Sequence, residues 1–237
     1  MDSGKNKSIN NNPEFDAVSS KYQKYLQRGL SLSGENSNYF AQKRVRHMIK
    51  FGASDFRCRS IMDFGCGTGG NIESLLKVFE PKKLVAVDIS YSSLKIVKET
   101  FKDQCVITQS PSSLNPNSNF DFCFSNGVFH HIPPKERKEN ARTIFESIKP
   151  GGHFYFWENN PWNPGTHWVM SRISFDRNAI KIFPSQAVKL LKEVGFKVNL
   201  VHYLFIFPRF LAFLRPIEKI LKRLPIGCQY LVLAQKV

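Results

Sequence analysis

Ile61-Met62-Asp63-Phe64-Gly65-Cys66-Gly67-Thr68-Gly69-Gly70-Asn71 places a glycine-rich turn directly between a short apolar run and a helical one. Glycine permits positive φ and lets a ligand lie against bare backbone, while the helix behind it presents free N–H groups. Gly65, Gly67 and Gly70 satisfy G-x-G-x-x-G, a spacing also found in dinucleotide-binding turns. Asp63 discriminates. A carboxylate two residues ahead of the first glycine repels a pyrophosphate and attracts a bound cation. A second acid, Asp88, closes the next apolar run in Val85-Ala86-Val87-Asp88-Ile89-Ser90. It follows the glycines by about twenty residues, where a carboxylate can accept hydrogen bonds from both hydroxyls of a ribose.

From Ser60 onward, short apolar runs alternate with helical patterns, which predicts an α/β fold with parallel strands and crossover helices. Strands are expected at Ser60 to Phe64, Lys83 to Asp88, Cys105 to Gln109, Phe120 to Ser125 and His153 to Trp157. Two closing strands are expected at Lys197 to Phe207 and Gly227 to Lys236. One helix runs from Pro134 to Lys149, stopped by Pro150-Gly151-Gly152, and another from an N-cap at Ser185 to Val194, stopped by Gly195. Ahead of the first strand, residues 1–13 are polar and Asn-rich, a composition that predicts a disordered tail. Residues 14–59 read as an N-terminal helical cap. Phe15, Val18, Tyr22 and Tyr25 lie on one side of a first helix, and Tyr39, Val45, Met48, Ile49 and Phe51 belong to a second that ends at Gly52. The tyrosines serve there either as a lid or as core.

Over 237 residues, 42% hydrophobic and 22% charged side chains describe an ordinary globular chain, which excludes collagen-like, wholly disordered and multi-span membrane classes. No apolar segment follows Met1-Asp2-Ser3-Gly4-Lys5, so a cytoplasmic location is expected. Cys58, Cys66, Cys105, Cys123 and Cys228 form no CxxC pair, which predicts reduced thiols and no metal site. The formal charge of +15 attracts polyanions, and charge alone does not choose between nucleic acid and anionic lipid.

S-adenosylmethionine carries an ammonium and a sulfonium and no phosphate, which suits the two acids. On Met62-Asp63-Phe64-Gly65-Cys66-Gly67-Thr68-Gly69, Ala86-Val87-Asp88-Ile89-Ser90, Phe120-Asp121-Phe122 and Lys149-Pro150-Gly151-Gly152, the chain resembles the class I S-adenosylmethionine-dependent methyltransferases of the bacterial small-molecule type, from about Ser60 to Phe196. The resemblance implies a Rossmann-like seven-stranded sheet whose seventh strand is antiparallel beside the fifth. It also implies that Asp63, Gly65, Gly67 and Gly69 hold the methionine part of the cofactor, Asp88 the ribose, and Ile89 the adenine. Asn126 and Gly127 would contact the methionyl end. Where the family often has an acid for the adenine amino group, this chain has Gln109-Ser110, either of which can accept that hydrogen bond.

Methyl transfer needs alignment, desolvation and, for a protonated nucleophile, a base. His130 and His131 follow the fourth strand, and Glu158 ends the fifth. Each is a candidate for the catalytic group, and the histidines serve equally well as helix-start packing. The loop Asn159-Asn160-Pro161-Trp162-Asn163-Pro164-Gly165-Thr166-His167-Trp168 either lines an acceptor pocket or anchors on the core. No Pro-Pro-aromatic run follows the fourth strand and no cysteine follows a proline, which lowers nucleic acid as acceptor. Between the closing strands, residues 208–225 repeat Phe210, Phe213, Leu214, Ile217, Ile220, Leu221 and Leu224 at helical spacing among Arg209, Arg215, Lys219, Lys222 and Arg223. Pro216 is expected to divide this basic amphipathic insertion into two short helices. It suits either an anionic membrane, with peripheral attachment at the inner face and a hydrophobic or lipid-linked acceptor, or docking on the domain itself. A cofactor-binding module without turnover and a nicotinamide-dinucleotide oxidoreductase remain as alternatives.

Overall fold

The computed structural model describes residues 29–51, 60–173, 176 and 179–237. The expectations for the tail, for the helix through Phe15, Val18, Tyr22 and Tyr25, for the stop at Gly52 and for Cys58 lie outside the described residues.

Seven strands form one sheet: β1 (Ser60–Phe64), β2 (Lys83–Val87), β3 (Val106–Gln109), β4 (Phe120–Asn126), β5 (Ile148–Asn159), β6 (Phe196–Leu204) and β7 (Gln229–Lys236). Their order is β3-β2-β1-β4-β5-β7-β6. The first five run parallel, and β7 is antiparallel to both β5 and β6. The fold expected from the glycine turn is therefore the one observed. Parallel strands covered on both sides read as unbroken apolar runs, and successive side chains go to opposite layers. Met62, Phe64, Val85, Val87, Phe154 and Phe156 pack on one face with Ile144 of α4 (Arg137–Ser147) and Leu191 of α6 (Pro184–Val194). Ile61, Leu84, Ala86, Tyr155 and Trp157 pack on the other with residues of α1 (Ser37–Lys50), α2 (Ile72–Phe79) and α3 (Tyr91–Thr100). The Asn36 side chain caps α1, accepting from the Tyr39 amide at 2.9 Å.

Three local expectations are corrected. The N-cap of α6 is Phe183, with Pro184 in the first turn, and the Gln186 side chain accepts from the Phe183 amide at 2.9 Å, which displaces Ser185 from that role. Pro150-Gly151-Gly152 does more than stop a helix. Strand β5 already begins at Ile148, and its register against β4 shifts between Phe120 and Phe122, so the glycines form an irregularity inside the strand. The insertion between β6 and β7 is a 3-10 run, Arg209–Ile217, followed by the short α7 (Glu218–Leu221). Its non-helical residue is Leu211, and Pro216 lies within the run and does not divide it. The segment stays at the surface, and none of Arg209 to Leu221 is buried.

Strand order reverses between β1 and its neighbours β2 and β4, so the connections leaving their carboxyl ends diverge and open a crevice. The glycine turn leads out of β1 into it.

Candidate active site

Asp63 is the one acid inside β1 and is 1% exposed. Its Oδ2 is buried without a hydrogen-bond partner among the described residues. Burial, and then the neighbouring charge of Asp88, push its carboxyl up to about 7, against the opposing pull of Arg44. Beyond it, Gly65, Gly67 and Gly69 have φ of 74°, 52° and 87°, the left-handed region that glycine enters without strain. Four of the turn's amides are already used. Gly65 and Cys66 donate to Val87 O at 2.7 and 3.0 Å, Gly69 donates to Cys66 O at 3.0 Å, and Gly67 donates to Asp88 Oδ2 at 2.8 Å. Asp88 Oδ1 accepts from the Ser90 amide at 2.8 Å, which fixes the carboxylate at the end of β2. A pyrophosphate would meet the repulsion of two carboxylates here. A cationic nucleoside finds the reverse, and this disfavours the dinucleotide reading.

The crevice encloses about 1100 Å³. Of the residues expected to hold the cofactor, Gly65, Gly67, Asp88, Ile89, Asn126 and Gly127 line it. Asp63 is buried and does not line it. Gly69 faces Phe101, Val97 and Ile72 and serves packing. Gln109 and Ser110 are also outside the lining. The Gln109 amide turns to Ser113 O, Ser110 Oγ pairs with Ser112 and Ser113, and Pro111 faces the crevice in their place. Arg44 was not foreseen. It sits on the buried face of α1 with Ala41, Val45 and Met48, and it lines the crevice. Its Nη1 and Nη2 donate to Gln229 Oε1 and Asn71 Oδ1, each at 2.9 Å. An arginine among the apolar positions of a helix was the available signal. S-adenosylmethionine fits this set: Asp88 and Ile89 would take the ribose and adenine, the ionised Asp63 would favour its cationic part, and Arg44 would balance its carboxylate.

Near the carboxyl end of β5, Glu158 is 1% exposed and does not line the crevice. Its Oε1 accepts from the amides of Phe129 at 2.7 Å and His130 at 3.3 Å, and its Oε2 lies 2.7 Å from His130 Nδ1. His130 Nε2 faces Asp176 Oδ1 at 3.4 Å, and His131 Nε2 reaches the same oxygen at 3.2 Å. Burial alone would depress His130. The Glu158 and Asp176 carboxylates outweigh it and push the imidazole up to about 10, so it is cationic at neutral pH. Both acids are held low in turn, against burial, by the histidines. Glu158 thus orients the β4 turn from behind, while His130, His131 and Asp176 face the crevice. The three ligand atoms lie within 4.8 Å of one another, a spacing that ion pairing already explains.

The loop after β5 both anchors and lines. Asn160 donates to Pro225 O and Gly227 O at 2.9 and 2.8 Å. Asn163 caps α5 (Pro164–Arg172), accepting from the Thr166 amide at 3.0 Å. Asn163, Pro164, Gly165, Thr166 and Trp168 line the crevice, whereas Trp162 is exposed against Phe183. Val169, Met170, Ile173, Phe205, Ile206 and Phe207 make this end apolar.

Residues 61–152 match the family model described as methyltransferase domain. Trans-aconitate 2-methyltransferase of Afipia carboxidovorans is 27% identical over 40% of this chain and 36% of its own length. Malonyl-(acyl-carrier protein) O-methyltransferase 1 of Ilyobacter polytropus is 30% identical over 41% of this chain and 37% of its own. The chain therefore matches little more than a third of the length of these relatives. Among solved structures, a SAM-dependent methyltransferase from Archaeoglobus fulgidus has a TM-score of 0.64 at 19% identity, covering 85% of this chain and 95% of that one. A methyltransferase from Mesorhizobium loti has a TM-score of 0.59 at 18% identity, covering 86% and 99%. The cyclase SpnF has a TM-score of 0.59 at 14% identity, covering 82% and 80%, so the fold by itself does not fix the chemistry. The acids and glycines of the β1 and β2 ends lie inside the matched residues, so over 61–152 the chain carries a segment similar to a methyltransferase domain, set in a sheet of the same fold as solved S-adenosylmethionine-dependent methyltransferases.

Proposed function

We propose that this protein transfers a methyl group from S-adenosylmethionine to a small-molecule acceptor with an apolar body, a hydrophobic or lipid-linked metabolite delivered at an anionic membrane surface. The observation that carries the reading is buried Asp63 within the electrostatic reach of Asp88, whose Oδ2 accepts from the Gly67 amide, beside an 1100 Å³ crevice that Gly65, Gly67 and Asp88 line. When bound, S-adenosylmethionine supplies a methyl carbon made electrophilic by its sulfonium. The names of the relatives from Afipia and Ilyobacter, one a trans-aconitate and one a malonyl-carrier methyltransferase, support small acceptors. The apolar wall of Val169, Met170, Ile173, Ile206 and Phe207 supports a hydrophobic one.

The chain's own work is alignment and exclusion of water. Asp88 and the bare backbone of Gly65 and Gly67 set the donor's position. Asn126 and Gly127, leaving β4 beside the turn, fix its methionyl end. His131, paired with Asp176 at 3.2 Å, is the base that takes a proton from a hydroxyl or amine acceptor. His130 is a fixed cation between Glu158 and Asp176, and it holds that dyad in place. Calorimetry tests the donor site: saturable binding of S-adenosylmethionine or its demethylated product is expected, weakened at least about tenfold by Asp88→Ala. A folded protein that binds neither would end the reading. Mass spectrometry of an extract supplied with isotopically labelled methyl donor then identifies the acceptor; donor binding with no labelled product would leave a binding module without turnover.

A further inference from the structure

The geometry points to the outer face of the insertion between β6 and β7 as a docking surface for an anionic lipid bilayer, onto which the mouth of the crevice opens. The inference rests on the proposed acceptor class only for its purpose, and on the surface itself for its content. Phe210, Phe213 and Ile220 are 75%, 74% and 80% exposed, and Ile217, Leu224 and Ile226 are also exposed. Large side chains this open on consecutive turns are unusual on a soluble face and mark an interaction site. Exposed Arg209, Lys219 and Arg223 stand among them. The only acid from Phe205 to Cys228 is Glu218, and it is turned inward, its Oε1 accepting from the amides of Ile206 and Phe207 at 3.1 and 2.9 Å.

The inner side of the segment is pinned by polar ties. Arg215 Nη2 pairs with Glu35 Oε1 at 2.9 Å, its guanidinium lies 4.8 Å over the Tyr39 ring, and its Nε donates to Phe207 O at 3.3 Å. These ties fix the inner side of the segment on the domain, while Phe210 and Phe213 stay exposed on the other. Apolar groups flanked by unopposed cations match the acyl boundary and the phosphates of an anionic leaflet. A second copy of the chain is a poorer occupant, because a two-fold contact through this face would bring its Arg209, Lys219 and Arg223 together with the same cations of the other copy, on a protein of charge +15. Nucleic acid would use the cations and leave Ile217, Ile220 and Leu224 in water. Phe210, Phe207 and Pro208 also line the crevice, so the docking face and the acceptor end are continuous. A lipid-borne acceptor would enter sideways from the bilayer without crossing water.

The test uses the full chain and co-sedimentation with two kinds of vesicle, phosphatidylcholine alone and a mixture with about one third phosphatidylglycerol. The mixed vesicles are expected to bind at least about tenfold more tightly, with the preference lost in high salt. Phe213→Ala with Ile220→Ala, and separately Lys219→Gln with Arg223→Gln, should each weaken binding about tenfold or more while the melting temperature holds. If the apolar pair disturbs folding, the charge pair decides alone. No partition of the wild type, or charge-pair binding equal to the wild type, overturns the proposal, as does a dimer that the apolar pair dissolves without any vesicle binding. Calorimetry with S-adenosylmethionine on the same samples separates the two ideas, since failed docking leaves donor binding intact and failed donor binding leaves docking untouched.

Discussion

His130 Nδ1 and Glu158 Oε2 stand 2.7 Å apart, with 3% and 1% of their side chains exposed. A charge pair this deep rewards intact geometry and punishes the loss of either member, because the survivor keeps its desolvation without its partner. Glu158 also accepts the Phe129 and His130 amides, so it fixes the backbone that leaves β4 as well as the imidazole.

Glu158→Gln is therefore expected to destabilise the fold by about 3 kcal/mol near neutral pH, measured by denaturant unfolding. The pH dependence has a definite sign. His130 is raised from 6.5 to about 10, so its contribution is complete below pH 6.5 and fades as pH rises towards about 10. Glu158 and Asp176 are lowered, so theirs is present above the ordinary carboxylate range and fades as pH falls through it. The melting temperature should fall on both sides of about pH 5 to 6.5, and the variant should flatten the alkaline limb. An alkaline limb unchanged in Glu158→Gln would refute the ion pair.

Asp63 should make donor binding pH-dependent. Its carboxyl, pushed up to about 7 chiefly by burial, is partly protonated in the unliganded protein, and a cationic ligand favours the ionised form. Binding should tighten as pH rises from about 6 to 8 and release a proton, seen by calorimetry in buffers of different ionisation enthalpy. Asp63→Asn should remove that dependence and weaken binding about tenfold, or ~1.4 kcal/mol. The unliganded fold should lose stability over the rise from 3.8 towards about 7, since the unfolded chain ionises first.

The sheet was legible because each parallel strand is a local signal. Ile61-Met62 before Asp63, and Leu84 to Val87 before Asp88, are short apolar runs ended by an acid, and the turn chemistry sits beside them. Boundaries moved where one residue type serves two purposes, as Gly151 and Gly152 do inside β5. That Asp88, Ile89, Asn126 and Gly127 would line a crevice at the strand ends was legible for the same local reason. Gln109 and Ser110 were not, because hydrogen bonds within the next turn draw them aside. Arg44 and Gln229 meet across 185 positions of sequence, and Asp176 reaches the histidines from beyond α5, partnerships that only the folded chain creates. The insertion's composition was readable, but its 3-10 winding and the Arg215–Glu35 pair across 180 positions of sequence were not.

His131→Ala separates chemistry from binding. With the acceptor identified by labelled methyl transfer, kcat is expected to fall about a hundredfold or more for an acceptor that must lose a proton, while donor affinity stays within about twofold. Asp176→Asn should fall in the same direction by less, because His131 keeps its ring at the crevice. Loss of donor affinity in either variant, with kcat unchanged, would move both residues from the acceptor end to the donor site.

Two glycines of one turn should fail in different ways. At Gly67, φ is +52° and a Cβ would meet nothing within 4 Å, so Gly67→Ala carries only the left-handed strain of about 1 to 2 kcal/mol. That methyl would stand in the crevice where the donor must lie against bare backbone, so affinity should drop about tenfold or more in a protein that still folds. At Gly65, φ is +74° and a Cβ would lie inside the branched side chain of Val128, which packs against the core. Gly65→Ala adds overpacking of about 1 to 3 kcal/mol to the same strain. In a chain of this size each kcal/mol lowers the melting temperature by about 2 to 4 °C, so the Gly65 variant should melt several degrees below the Gly67 variant. The opposite order of melting, or full donor affinity in Gly67→Ala, would mean that the ligand does not rest on this turn.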